Sequence, residues 1–350
     1  MEFEYKDMKN RKDRDRSSEY LSDLPYYVQS FIIGREGNMS ARTQYIYISR
    51  IDSFFNYLID TRFKDKAKAD ITLQDLDTVT IEDIETFASW VRHGHLRKTK
   101  KEIQRKDDKE TTVNNYLSAL SMFFKYFANR GKLSSNPVAG LERARKKKKE
   151  VIRLNKKQKE QFFDCIQSGE KLTETQKRFH DKSGLRDYAI CLLLVRTGLR
   201  VSELVGLNLR DINFDDYSLT VLRKGDKYDH VFFDDEVAEV LEEYLEERKN
   251  IAKEDENGVF VVTVGKYKGS RLSVRSVELL VKKYAVAGPA NEQITPHKLR
   301  STYATDMLVA TGNISLVQKA LNHSSPTTTM VYADQRTIDL SRARNTLKNT

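Results

Sequence analysis

The sequence is poor in cysteine, with only Cys165 and Cys191 among its 350 residues, each within an apolar stretch. Two cysteines provide neither a framework of disulfide bonds nor a cysteine-rich zinc cluster, so we predict no metal site. The class of small disulfide-stabilised domains is therefore excluded. We expect a reducing, cytoplasmic environment.

Long apolar runs are also missing from the sequence. No stretch approaches the roughly 20 apolar residues that a membrane-spanning helix needs. The first residues are polar and charged and carry no apolar core of the kind that a signal peptide has. We predict that residues 1–19 form a flexible polar arm, and we expect no membrane partner.

Positive charge, by contrast, is in excess. Lysine and arginine number 61 against 51 aspartate and glutamate, which gives a formal net charge of +10. This balance suggests a polyanionic partner, either nucleic acid or an anionic membrane surface, although a basic protein without such a partner has the same composition. Since membrane signals are missing, nucleic acid is favoured.

Helical spacing dominates the first part of the chain, from residue 20 to residue 141. Ser40 and Thr80 each precede an apolar stripe with helical periodicity and are predicted to cap a helix. A third helix is predicted from Thr111 past Phe127. We therefore predict a helical domain over residues 20–141.

A basic segment follows the helical region. Residues 141–160 hold ten lysines or arginines and three acidic residues, including the run Lys146, Lys147, Lys148 and Lys149. Such a run is typical of a solvated linker, and it also suits a linker that follows a DNA backbone. We predict a linker over residues 142–154.

The second helix-rich region is predicted to span residues 155–335. Its β signal is the pair YSLTVL and HVFF around the polar stretch RKGDKYD, which predicts a hairpin. Helix-start signals stand at Ser273, at Thr295 with Pro296, at Asn313 and at Ser325 with Pro326. The predicted fold class is mainly α with a small β-hairpin or sheet, in two domains.

Residue types suited to phosphodiester chemistry cluster in this second region. Cleaving a phosphodiester without a metal requires a nucleophile, fixed cations that meet the developing negative charge, and a proton donor for the leaving oxygen. Each candidate alone is an ordinary surface residue, and the indication lies in their order and spacing. The candidates are Arg200, Lys224, His297, Arg300, His323 and Tyr332.

Taken together, these motifs resemble those of the tyrosine recombinases, the integrase family that includes the Xer proteins. The matching segments are TGLRVSEL at 197–204, RKGDK at 223–227, HKLR at 297–300 and LNHSSPTTTMVY at 321–332. The resemblance covers roughly residues 20 to 335, and the layout with its KKKK linker is most similar to Xer proteins that act as single recombinases.

Two positions depart from the family pattern. Asn322 stands where the family usually has glycine, and Ser301 stands where Xer proteins often have histidine. Asparagine tolerates left-handed backbone geometry better than most residues, so we expect the turn at Asn322 to survive.

The resemblance implies a DNA clamp made of a helical core-binding domain and an α+β catalytic domain. It implies that Arg200 and Arg300 hold the scissile phosphate and that His297 and His323 hydrogen-bond to it. Lys224 would be the general acid, and Tyr332 would form a 3′-phosphotyrosine bond. Glu203 is implied to hold the site in order, and no cofactor is implied.

DNA contacts by the first domain are implied as well, through two of its helices. Arg42, Thr43, Thr112, Asn114 and Asn115 are candidates, although each is equally well explained as an exposed polar residue. The resemblance also implies a homo-tetramer on two specific DNA sites, coupled by the tail at residues 336–350. A DNA translocase or another accessory protein is a further possible partner.

The biological role remains open at the level of the sequence. Resolution of chromosome or plasmid dimers, linked to chromosome partition and cell division near the nucleoid, is favoured because no additional DNA-binding domain is evident. The alternatives are the integrase of a mobile element, a DNA-relaxing enzyme like the type IB topoisomerases, and a DNA-binding protein without catalysis.

Overall fold

The computed structural model describes residues 5–93, 96–98, 103–105, 110–142, 153–223, 227–288 and 294–322. The chain divides into two compact units, residues 1–148 and 149–350, and each is treated separately below. Helices dominate the described residues, and two small antiparallel sheets accompany them, which confirms the predicted fold class. Among the described helices, none is both long and apolar enough to cross a membrane.

The first unit contains six α-helices and one pair of short strands within the described residues. They are α1 (Tyr5–Leu21), α2 (Tyr26–Ile33), α3 (Ala41–Thr61), α4 (Leu73–Asp77), α5 (Ile81–His93), β1 (Leu96–Lys98), β2 (Ile103–Arg105) and α6 (Glu110–Ala128). The strands β1 and β2 pair antiparallel, and the sequence analysis did not predict them. Strands of three residues are too short to show a period-2 pattern.

The predicted flexible arm is also wrong, because helix α1 covers most of residues 1–19 and packs on α3. Asp13 is buried and accepts a hydrogen bond from Arg42 at 3.1 Å. The rings of Tyr20 and Tyr45 lie 6.1 Å apart. Ion-pair and ring contacts therefore attach this helix to α3. Because such contacts do not require a stripe of apolar residues, the sequence did not predict the helix.

Predicted helix starts in the first unit are confirmed. The Ser40 hydroxyl accepts the Thr43 backbone N–H at 3.3 Å ahead of α3. Thr80 and Asp83 exchange side-chain and backbone hydrogen bonds at the start of α5. Helix α6 begins one residue before the predicted Thr111. These caps satisfy backbone N–H groups that have no partner within the helix.

The second unit contains eight α-helices and a three-stranded antiparallel sheet of order β3-β4-β5 in the described residues. They are α7 (Lys156–Ser168), α8 (Glu174–His180), α9 (Gly184–Thr197), α10 (Val201–Gly206), β3 (Ile212–Asn213), β4 (Ser218–Leu222), β5 (Tyr228–Phe232), α11 (Asp235–Lys249), α12 (Val274–Ala287), α13 (Pro296–Thr311) and α14 (Ile314–Ala320). The predicted hairpin is confirmed as β4 and β5, whereas the two-residue strand β3 gave no signal in the sequence.

Helix α9 lies at the centre of the second unit. It packs against α7, α11, α12 and α13, and its buried residues include Ile190, Cys191, Leu193 and Leu194. A helix that is apolar on most sides is surrounded by other elements, so its end is fixed in space. That end carries the turn in which the candidate site begins.

Candidate active site

The turn after α9 requires glycine for two reasons. Gly198 has φ of 65°, in the left-handed region that glycine adopts without a steric penalty. A Cβ atom added at Gly198 would lie 2.4 Å from the ring of Tyr303, so a side chain would also collide with α13. The turn places Arg200 immediately before α10.

Arg200 is held on one side and open on the other. Its backbone N–H donates to Glu203 Oε2 at 2.8 Å, and its Nη1 donates to Glu203 Oε1 at 2.7 Å. Its Nη2 donates to the backbone oxygen of Asn322 at 3.3 Å. Because 39% of the side chain is exposed, the guanidinium can still present donors to a ligand.

Arg300 is buried, and only 2% of the residue is exposed. It projects from the first turns of α13, and its Nη1 and Nη2 donate to the backbone oxygens of Gly198 and Leu321. Arg200 and Arg300 thus donate to the consecutive carbonyls of Leu321 and Asn322. The structure therefore brings these two predicted site residues to the same turn.

His297 lies one helical turn before Arg300, and the residue is only partly open to solvent. Partial burial lowers the pKa of its imidazole from the usual 6.5, and the positive charges of Lys298, Arg300 and Arg200 lower this pKa further. The ring is therefore neutral at pH 7, with one nitrogen as donor and the other as acceptor.

Both departures from the family pattern have a local explanation. Asn322 has φ of 46°, so the expected left-handed turn is confirmed. The buried Ser301 hydroxyl donates to the backbone oxygen of His297 at 3.0 Å, within the helix. Ser301 thus makes a helix contact rather than presenting an open polar group.

The residues that flank the turn of the β4–β5 hairpin are hydrogen-bonded to each other and to the same site. The backbone N–H of Arg223 donates to the Lys227 oxygen at 2.8 Å. The Arg223 side chain, 3% exposed, donates to Glu203 Oε2 at 2.8 Å. Sequence reasoning missed Arg223, because an arginine beside a hairpin turn has the composition of a solvated turn.

Several predicted residues and segments lie outside the described residues. They are Lys224, His323, Tyr332, the lysine run at 146–149 and the tail at 336–350. Their placement stays a prediction, as does most of the linker at 142–154. Where the chain is described, no group of three His, Cys, Asp or Glu side chains is arranged to hold a metal ion.

The predicted DNA-reading residues fall on two helices of the first unit. Arg42 pairs with Asp13, and its guanidinium lies 5.2 Å from the ring centre of Tyr45. The Thr43 hydroxyl lies 2.9 Å from that of Ser40. Both side chains thus already have partners within the unit.

On α6, Thr112 and Asn114 are half-buried and Asn115 is exposed. Of these three side chains, Asn115 is the most accessible to an external partner. DNA reading by all five candidates stays a prediction.

Comparison with known proteins identifies the family to which this chain belongs. The profile of the phage integrase family matches residues 145–337. The tyrosine recombinase XerS of Streptococcus uberis is 32% identical over 343 residues, which covers 91% of this chain and 94% of that protein. XerS of Streptococcus mutans is 31% identical over 331 residues, covering 88% and 91%.

Solved structures agree in fold. XerH bound to a palindromic difH substrate after cleavage has a TM-score of 0.62 at 19% identity and covers 87% of this chain and 80% of that one. The Tn1549 transposon integrase in complex with circular intermediate DNA has a TM-score of 0.61 at 22% identity, covering 91% and 98%. The chain therefore belongs to the phage integrase family, and within it to the Xer-like tyrosine recombinases, a class of site-specific recombinase enzymes.

Proposed function

We propose that this protein cuts and rejoins DNA at specific sites through a 3′-phosphotyrosine bond formed by Tyr332. The observation that carries the proposal is the meeting of Arg200 and Arg300 at the adjacent carbonyls of Leu321 and Asn322, one residue before His323. Duplex DNA as the substrate is supported by the net charge of +10 and by the similarity to recombinases solved with DNA.

The two arginines would stabilise the transition state. Attack on a phosphodiester places negative charge on the non-bridging oxygens, and a guanidinium can meet two such oxygens at once. Arg300, fixed by two carbonyls, supplies a positive charge that needs no reorganisation, and Arg200 presents its open side to the phosphate. Neutral His297 donates a hydrogen bond to the same group, and His323 donates another.

Tyr332 would be the nucleophile and Lys224 the general acid. A free tyrosine has a pKa near 10, and neighbouring positive charge favours its phenolate. The phenolate oxygen attacks phosphorus, the bond from phosphorus to the 5′ oxygen breaks, and Lys224 gives that oxygen a proton. A 5′-hydroxyl from a second strand reverses the step. The phosphotyrosine conserves the bond energy, so no cofactor is required.

The remaining parts of the chain would grip DNA and assemble the complex. The helical domain at 20–141 and the basic linker at 142–154 contact the duplex, and the boundary between the compact units, at residues 148 and 149, falls within that linker. Four protomers act on two sites, coupled by residues 336–350. Similarity to Xer proteins supports the resolution of chromosome or plasmid dimers as the role, near the nucleoid and with an accessory translocase.

Covalent trapping tests the proposal and identifies the target sequence in the same experiment. Purified protein is incubated with nicked, fragmented genomic DNA of the source organism, the mixture is denatured, and attached DNA is sequenced. We expect adducts at a small set of sequences with the wild type and none with Tyr332→Phe. Adducts that persist in Tyr332→Phe would remove Tyr332 as the nucleophile.

Two further outcomes separate the alternatives. Tight DNA binding without any adduct would favour a non-catalytic protein. Relaxation of a supercoiled plasmid that lacks the selected sequences would favour an enzyme like the type IB topoisomerases.

A further inference from the structure

Five residues of the second unit close a ring of hydrogen bonds. Arg200 Nη1 donates to Glu203 Oε1 at 2.7 Å, and Arg223 Nη1 donates to Glu203 Oε2 at 2.8 Å. Arg223 Nε donates to Asp229 Oδ2 at 3.2 Å, and Asn322 Nδ2 donates to the same oxygen at 3.4 Å. The Asn322 backbone oxygen accepts from Arg200 Nη2 at 3.3 Å, which completes the ring.

The ring has a strong buried half and a weaker exposed half. The side chains of Glu203 and Arg223 are 5% and 3% exposed, and their mutual hydrogen bond is short. Asp229 is 41% exposed, and its hydrogen bonds to Arg223 and Asn322 are 3.2 and 3.4 Å long. Two carboxylates compensate two guanidiniums, which matters because an uncompensated charge as buried as Arg223 is strongly destabilising. Arg223 contacts two carboxylates, and Asp229 is the second of them.

The ring includes or adjoins three proposed catalytic residues outside α13. Arg223 directly precedes Lys224, Asn322 directly precedes His323, and Arg200 is itself a member. Consecutive Cα atoms are about 3.8 Å apart, so fixing one residue constrains the origin of the next side chain. The backbone position from which a lysine on a hairpin turn extends is defined only if the residues on either side of that turn are fixed.

We propose that Arg223 and Asp229 are positioning residues that hold the Lys224 hairpin against the Arg200 and Asn322 turns for proton transfer to the leaving 5′ oxygen. This inference rests on the proposed function, specifically on Lys224 as the general acid. Neither residue touches the DNA in this scheme. Their effect is exerted through Lys224, whose reach to the leaving oxygen must fall within hydrogen-bond distance.

A substrate with sulfur in place of the 5′-bridging oxygen distinguishes positioning of the acid from a purely structural role. A thiol has a pKa of about 8.5, far below that of an alcohol, so a 5′ thiolate departs without a proton. A defect in the placement of Lys224 therefore disappears on the sulfur substrate. A general loss of active-site order slows both substrates alike.

The test measures the single-turnover rate at which the full chain forms the covalent adduct with DNA of the sequence identified by covalent trapping. The rate is measured once with oxygen and once with sulfur at the 5′-bridging position. Asp229→Asn is the main variant, because its exposure permits the change without loss of the fold. A general acid contributes about 10²–10⁴-fold, and we expect partial misplacement to slow cleavage roughly tenfold on the oxygen substrate. On the sulfur substrate the rate should return to within about twofold of the wild type. Asn322→Gly keeps the left-handed turn and should show a smaller, equally rescued defect.

Two variants calibrate the result. Asp216→Asn alters an acid at the opposite end of the sheet, in the turn between β3 and β4, and should cleave both substrates at the wild-type rate. Lys224→Ala should be slow with oxygen and rescued by sulfur. Suppose that sulfur rescues Lys224→Ala. If Asp229→Asn is then slowed equally on both substrates, or is slowed on neither, the positioning role is overturned while Lys224 stays the general acid. If Lys224→Ala is not rescued, the assigned acid is wrong and the inference falls with it.

Discussion

In the unit of residues 1–148, phenylalanine and tyrosine rings fill the interior, and Phe54, Phe87 and Phe123 are fully buried. Phe54 and Phe87 pack edge to face at 5.0 Å. In the unit of residues 149–350, four arginines are among the buried residues, whereas the buried residues described in the first unit include none. The buried arginines are Arg186, Arg223, Arg248 and Arg300.

The two interiors are therefore stabilised in different ways. Aromatic packing stabilises a scaffold through apolar burial and ring geometry, with little demand on charge. A site that must meet a developing anion needs cations fixed in advance, and a buried cation requires partners. Asp187 supplies one such partner: it accepts from Arg186 at 2.6 Å, from Lys283 at 2.9 Å and from the Tyr284 hydroxyl at 2.9 Å.

The largest effect that we expect comes from removing that partner. Asp187→Ala leaves Arg186 and Lys283 without their shared carboxylate in a buried setting, and breaking a buried pair in this way costs about 3–5 kcal/mol. Urea unfolding, followed by hydrogen exchange resolved along the chain, should show the loss within residues 149–350. An unchanged unfolding midpoint would mean that buried charge is not what stabilises this unit.

The matching test in the first unit removes a ring. Phe123→Ala leaves a cavity where Phe31, Phe124 and Phe127 now contact it, and such changes cost about 3–5 kcal/mol. Hydrogen exchange should accelerate within residues 1–148. Ile33→Ala serves as the control, because Ile33 is 58% exposed and should change stability little. Equal effects of the two variants would contradict the aromatic core as the source of stability.

A smaller effect on stability and a large one on catalysis are expected for Arg200→Ala. Losing one preorganised donor to the transition state costs about 10²–10³-fold in rate, or about 2.7–4 kcal/mol. The melting temperature should change little, because Arg200 is 39% exposed and Glu203 keeps Arg223. For Arg300 the variant is Arg300→Lys, which keeps a positive charge, because Arg300 is buried and donates to two backbone oxygens. Undiminished adduct formation by Arg200→Ala would refute its role.

Helix caps should behave alike in both units. Thr72 caps α4 and Asn155 caps α7, each in a reciprocal arrangement with the third residue of its helix. Thr72→Ala and Asn155→Ala should each cost about 1 kcal/mol, as measured by urea unfolding. A large difference between the two variants would show that local helix stability, like the interior, differs between the units.

The smallest expected effect is the pH dependence that His297 adds. Because its pKa in the folded protein lies below 6.5, the unfolded chain binds the proton first as the pH falls. Above pH 6.5, His297 therefore does not reduce the free energy of unfolding. As the pH falls from 6.5 toward the pKa of His297 in the folded protein, His297 reduces that free energy. Nuclear magnetic resonance titration should give a folded pKa below 6.5, and His297→Gln should lessen the acid loss of stability. A folded pKa above 6.5 would reverse the sign.

Much of the fold was predictable because its signals are local. Ser40, Thr80, Ser273 and Asn313 precede helices whose first N–H groups lack partners, and a capping side chain is visible in the sequence. Helix α1 and the strands β1, β2 and β3 were missed, since α1 is held by contacts such as Asp13 with Arg42 and the strands are too short to show a period.

The sequence alone determined which residue types stand at the candidate site and on which local elements, because motif order, caps and turn signals act over a few residues. It also indicated the left-handed turn at Asn322, which follows from the backbone preference of asparagine. Only the tertiary structure decided that Arg223 and Asp229 join Glu203 in one ring, and that Arg300 is buried on Gly198 and Leu321. The physical reason is that these contacts join different elements, and in the case of Arg300 and Gly198 the two residues are 102 positions apart. Such contacts depend on how the elements pack, and no local pattern records them.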